Sequence, residues 1–191
     1  MTISFYFDCV SPYSYVAMQL LPKQAWHGEV VYKPVSLISI MHASKNKPPG
    51  TTPHKAKWMR QDLQRLAHVH GFTFHMPSTF PFPSKFLNAA IAVQSEDKVK
   101  CITKMLFEKI FIEGDLRNEA EEVEAFLEEK GVILEAGWQD KGHAIVKQNT
   151  KEIIEHGAFG VPSFLVQQND TTELFFGSDR LDQISYFYSK Y

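Results

Sequence analysis

The stretch Phe7–Ala17, FDCVSPYSYVA, decides how this chain is read. It begins at the end of an apolar, aromatic run, Ile3–Phe7 (ISFYF), which reads as a buried strand. It continues into Ser11-Pro12, where a serine N-cap and a proline in the first turn mark a helix start. Tyr15, Val16, Met18 and Leu20 make that helix mostly apolar, and Pro22 ends or restarts it. A side chain at such a start faces free backbone N–H groups and the positive end of the helix dipole. A cysteine placed there becomes a reactive thiolate. Here Ser11 and Ser14 stand where a Cys-x-x-Cys pair would. A serine hydroxyl is far too weak an acid to be the resident anion, but it can donate a hydrogen bond to an anion brought by a ligand. The junction therefore reads as a site that borrows its thiolate. Capping alone is the plainer account of Ser11.

Outward from the junction, Glu29–Leu37 (EVVYKPVSL) reads as a second strand. Strand, helix and strand together imply a parallel pair with a right-handed crossover. The pattern then changes. Ser44–Lys55 (SKNKPPGTTPHK) is a polar, proline-rich loop, and Thr52 and Pro53 open a long helix. Ala56, Met59, Leu63, Leu66 and Ala67 recur at helical spacing until Gly71. A loop rich in phenylalanine covers 72–86, and residues 84–112 read as one or two helices. In RNEAEEVEAFLEEKG, Asn118 as N-cap and Glu121 at N3 make a capping box closed by Gly131. A further helix runs from about Gln139 to His156.

The chain closes with two short strands, GVPSFLV and ELFFGS, joined as a hairpin by QQNDTT, and a helix from Ser178 or Asp179 to the end. The order is β-α-β, helices, then β-β-α. That is an α/β chain in the thioredoxin layout. Residues 1–45 and 138–191 form the thioredoxin-like domain, and 46–137 an inserted helical domain.

Composition narrows the function. The 191 residues are 44% apolar and carry a net charge of −2, which speaks against nucleic acid or an anionic membrane as partner. No apolar run approaches the roughly 18 residues of a membrane span. The start, MTISFYFD, has no basic or apolar leader pattern, and Cys9 and Cys101 match no redox or zinc spacing. A reducing cytosol is the expected compartment. Cys9 is expected to pack inside the strand and Cys101 inside a helix core. His68 and His70 are two apart on a helix, so they point to different sides and leave no metal set.

Two further motifs bear on Ser11. Val161-Pro162 precedes an apolar strand, in the place where this layout puts a cis-proline opposite the first helix. The residue before it offers backbone N–H and C=O to an extended ligand. A turn proline at a strand start is the alternative. In FFGSDRL, backbone amides around Ser178 could bind a carboxylate and Asp179 could hold an ammonium, the two ends of an α-amino acid. Simple capping is again the alternative.

Together FYFDCVSPYSYVA, NKPPGTTPHKAKWMRQDL, FGVPSF and FGSDRL resemble 2-hydroxychromene-2-carboxylate isomerases and the kappa-class glutathione transferases that share their DsbA-like fold. The resemblance covers almost the full chain. It implies glutathione as cofactor, with Ser11 binding its thiol and favouring the thiolate. It implies that Val161 and Pro162 meet the cysteinyl backbone, that Ser178 and Asp179 hold the γ-glutamyl end, and that Asn46 belongs to the same site. Ser14 then replaces the resolving cysteine. The resemblance further implies a homodimer acting in aromatic catabolism on a small aromatic acid, in the cytoplasm expected above. Trp58, Phe80 and Phe82 are the expected walls of the acceptor pocket. The expected reaction turns a 2-hydroxychromene-2-carboxylate into a trans-o-hydroxybenzylidenepyruvate type of product. Two departures stand out: FFGSDRL is nearer to the transferase form, and Phe80 stands where the isomerase has a substrate-contacting tyrosine. A transferase or peroxide-reducing activity, or a non-catalytic binding module, are the alternatives.

Overall fold

The computed structural model describes residues 1–24, 28–48, 52–114 and 118–188. Strand β1 (Thr2–Phe7) leads into helix α1 (Pro12–Leu20) and a 3-10 turn at Leu21–Lys23, so Pro22 does restart the chain. Strand β2 (Glu29–Pro34) stops short of the expected Leu37. Residues Leu37–Ala43 instead form α2, opened by Ser36, whose Oγ takes the Ser39 amide. That helix went unread because its β-branched residues continue the look of a strand.

Helix α3 (Pro53–His70) begins after Thr52 and ends at Gly71, whose φ of 69° suits a left-handed cap. Residues 84–112 divide into α4 (Lys85–Ala92) and α5 (Glu96–Phe111). Helix α6 (Ala120–Glu129) starts one residue later than expected. Its N-cap is Glu119 rather than Asn118, because the Glu119 amide donates to the Glu122 carboxylate at 3.2 Å. Helix α7 (Trp138–Glu155) precedes the hairpin of β3 (Ser163–Gln168) and β4 (Thr171–Phe176). A 3-10 turn at Ser178–Arg180, capped by Gly177 and not by Ser178 or Asp179, runs into α8 (Leu181–Tyr188). Residues 49–51 of the expected loop and 189–191 of the expected last helix lie outside the described residues.

The sheet order is β2-β1-β3-β4, with β1 and β2 parallel and the rest antiparallel. The central strand β1 is buried on both faces, and its period-2 alternation divides the core. Ile3, Phe5 and Phe7 face the larger cluster, with Phe164 and Val166 of β3, the apolar side of α1, and residues of α3 to α6. Tyr6 faces the smaller cluster under α2 and α7, with Val35, Ile40, Ile153, Val161 and Leu165. One continuous hydrophobic cluster thus joins the sheet to the inserted helices. Ser11 stands beyond the end of β1, as the N-cap of α1. Among the described residues no helix is long and apolar enough to cross a membrane.

Candidate active site at the start of the first helix

Ser11 is the N-cap of α1, with extended backbone at φ −89° and ψ 110°. Its Oγ accepts the Ser14 amide at 3.2 Å. Its own proton finds no acceptor among the described residues, so the hydroxyl keeps a donor to spend on a ligand. The side chain is 4% exposed, which shields such a bond from competing water. Ser14 is fully buried, and its hydroxyl has no partner among the described residues. With serine at both places, the junction cannot close a disulfide.

The other expected glutathione residues are tied to one another, and the turn that carries two of them packs on α1. The Val161–Pro162 peptide is cis, as the motif implied. The Pro162 carbonyl accepts the Gly177 amide at 2.9 Å, which ties the proline to the turn carrying Ser178 and Asp179. That turn packs on α1. Asp179 lies close enough to Tyr13, the second residue of α1, for its charge to raise the phenol. Asn46 reaches the same loop, its Nδ2 donating to the Phe159 carbonyl at 3.2 Å. Its amide oxygen takes the Lys47 amide at 2.9 Å, so one end of this side chain holds its own loop and the other the loop before Val161.

Asp62 is a site residue that sequence reasoning missed. It stands beside the buried stripe of α3, and its Oδ2 accepts the Tyr13 hydroxyl at 2.9 Å. Burial, that hydrogen bond, and the charges of Asp62 and then Asp179 push the Tyr13 phenol well above its ordinary value. Two carboxylates therefore act on the Tyr13 phenol. At that phenol, away from the backbone N–H groups of the helix start, they disfavour a further anion and favour an ammonium. The only sign of it in the sequence is an acidic residue in an otherwise basic helix. Asp179 also pairs with Arg180 at 2.8 Å, an exposed contact that a ligand ammonium would compete with.

The expected acceptor walls are placed differently from one another. Trp58 is 56% exposed on α3, Phe80 is partly buried, and Phe82, 7% exposed, is part of the larger core. Phe80 and Phe82 meet edge to face with centroids 6.4 Å apart. Phe74, in the same loop, packs on Tyr15 and Phe111, so much of the phenylalanine-rich segment is core. A cleft of about 180 Å³ runs along β2, between Tyr32 to Pro34 and Ile91, Ile145 and Asn149; none of the expected site residues lines it.

The family model of the DSBA-like thioredoxin domain matches residues 2–189. Human glutathione S-transferase kappa 1 is 25% identical over 203 residues, covering 97% of this chain and 89% of the relative. The 2-hydroxychromene-2-carboxylate isomerase of Sphingobium xenophagum is 27% identical over 189 residues, covering 95% and 94%. A solved structure of a 2-hydroxychromene-2-carboxylate isomerase superposes with a TM-score of 0.83 at 25% identity, covering 98% of this chain and 94% of that one. Identity alone does not separate the transferases from the isomerases.

Proposed function

This chain belongs to the DSBA-like thioredoxin domain family, and on that premise we propose that it is a glutathione-dependent isomerase of 2-hydroxychromene-2-carboxylate-like aromatic acids. The observation that carries the proposal is the Ser11 hydroxyl: buried, at a helix N-terminus, with its proton free and no cysteine beside it at position 14. Relatives of both names, isomerase and kappa transferase, agree with an enzyme at this site.

The residues fit glutathione. Ser11 donates its hydrogen bond to the sulfur and, with the dipole of α1, favours the anion. The backbone of Val161, before the cis-proline, pairs with the cysteinyl unit as a strand would. Ser178 and Asp179 take the γ-glutamyl end, aided by the second carboxylate at Asp62. Asn46 holds the loop that bears Val161 in place. When bound, glutathione supplies a thiolate that adds to a conjugated carbon of the ring-opening acid and leaves again, allowing rotation about the former double bond. The protein supplies a lower thiol pKa and a fixed approach. Phe80 and Trp58 offer apolar surface to a planar acid. A cytosolic homodimer completes the reading.

The transferase reading is kept for one reason, the FFGSDRL form of the last motif. The two differ in glutathione balance. With glutathione at a small fraction of the acid, the isomerase reading expects trans product to exceed glutathione many times over, with free thiol unchanged. Loss of one thiol per product would mean a transferase. An absence of glutathione binding would end both readings.

A further inference from the structure

At the end of β1, Asp8 is 3% exposed, and its carboxylate accepts four hydrogen bonds. Its Oδ1 accepts the Ser84 hydroxyl at 2.6 Å, the Asn88 side-chain amide at 2.8 Å and the Val10 backbone amide at 3.2 Å. Its Oδ2 accepts the Leu37 amide at 2.8 Å. No cation pairs with it among the described residues. These four donors sit near the starts of three helices, with Val10 just before α1. Leu37 opens α2, Ser84 is the N-cap of α4, and Asn88 lies one turn into α4.

The turn between Asp8 and Ser11 has three backbone amides; the Asn88 and Asp8 side chains take two of them and the Asp8 main-chain carbonyl the third. The Cys9 amide donates to Asn88 Oδ1 at 3.0 Å, Val10 to the Asp8 carboxylate, and the Ser11 amide to the Asp8 carbonyl at 2.9 Å. Asn88 also donates to the Val35 carbonyl at 3.0 Å, which binds the same knot to the end of β2. The path from Ser84 through Asp8 to Ser11 also runs from the end of the phenylalanine-rich loop to the hydroxyl.

We infer that Asp8, seated by Ser84 and Asn88, is the positioning residue for Ser11, fixing its hydroxyl on the thiol of a bound substrate or cofactor. The inference rests on the glutathione reading. Asp8 acts through backbone and does not touch the sulfur. A carboxylate is required because every partner is a donor; an amide of the same shape would turn an N–H onto one of them.

The sign of one measurement separates positioning from simple charge. A buried anion near a thiol raises its pKa, as Asp8 does for Cys9, where burial acts first and the Asp8 charge second. Asp8→Asn removes that charge, which alone would lower the pKa of a thiol bound at Ser11. Loss of positioning weakens the Ser11 hydrogen bond and raises it. The experiment titrates the ultraviolet absorbance of the glutathione thiolate in complex with wild type, Asp8→Asn, Ser84→Ala, and Asp8→Asn combined with Ser11→Ala. The expected result is a rise of about one unit for Asp8→Asn, a tenfold loss of thiolate below the pKa. Ser84→Ala, which leaves three donors in place should Asp8→Asn not fold, moves it the same way but less. In the Ser11→Ala background Asp8→Asn causes no rise. A pKa unchanged or lowered in folded, glutathione-bound Asp8→Asn overturns the inference and leaves the glutathione reading standing. Hydrogen exchange of the Val10 and Ser11 amides in ligand-free protein decides the matter without glutathione: protection falls in Asp8→Asn, or in Ser84→Ala, while β1 amides stay protected. If those two amides exchange as in wild type, Asp8 does not hold the turn. No thiol titration in wild type would instead sink the proposed function.

Discussion

Cys9 and Ser11 stand two residues apart, and the fold treats them oppositely. Cys9 is fully buried, and burial followed by the charge of Asp8 pushes its thiol well above the ordinary value near 9. Ser11 is almost as buried but keeps a free donor at a helix start. The only other sulfhydryl, Cys101, was expected in a helix core. It is exposed, because α5 turns Ile102, Leu106 and Ile110 inward and leaves position 101 outside that stripe. A thiol reagent at mild alkaline pH should therefore modify one cysteine per folded chain, Cys101, with Cys9 following only on unfolding. Fast labelling of both would contradict the burial of Cys9 in the turn after β1, where it lies rather than on the strand itself. An acid whose pKa is raised by folding contributes its full stability below the unfolded value, and that contribution is lost as pH rises from about 9 toward the folded value. Cys9→Ser should show less of this alkaline loss.

At the scale of elements, the crossing of α4 and α7 sets where Asn88 can reach. Gly142 of α7 packs directly on Ala89: a Cβ there would stand 2.7 Å from the Ala89 Cβ and closer still to its carbonyl oxygen. Gly142→Ala should destabilise the protein by roughly 1–3 kcal/mol through overpacking, lowering the urea midpoint with little change in slope. An unchanged midpoint would mean that the two helices are free to separate. Elements like these were legible in the sequence where local chemistry marks them. Ser11-Pro12 and Thr52-Pro53 each signalled a helix start, and Gly71 and Gly131 its end. Where neighbouring residues offer equivalent caps, as Asn118 and Glu119 do, the choice is made by geometry. The helix at Leu37–Ala43 and the roles of Asp8 and Asp62 depend on contacts 29 to 80 residues apart, which no local pattern encodes. Within the candidate site, Ser11, Val161-Pro162 and Ser178-Asp179 were readable because each is a motif in its own short segment.

Over the whole molecule, the central strand carries two cores and delivers its end to the place where α1, α2, α4 and the turn after β4 converge. Parts distant in sequence thereby meet at Asp8, at the head of the turn that leads to Ser11, and the central question is what the Ser11 hydroxyl does. Ser11→Ala removes a single hydrogen bond to an anionic sulfur, worth on the order of 1.5–3 kcal/mol. Glutathione affinity should largely survive, because the ends of the tripeptide are held elsewhere. The direct measurement is the ultraviolet titration of bound glutathione thiolate in wild type and Ser11→Ala. The expected result is a pKa higher by roughly one to two units in the variant, with turnover near neutral pH lower by about ten- to a hundredfold and partly restored at alkaline pH. Superimposed titration curves would show that Ser11 only caps a helix, and would contradict the account.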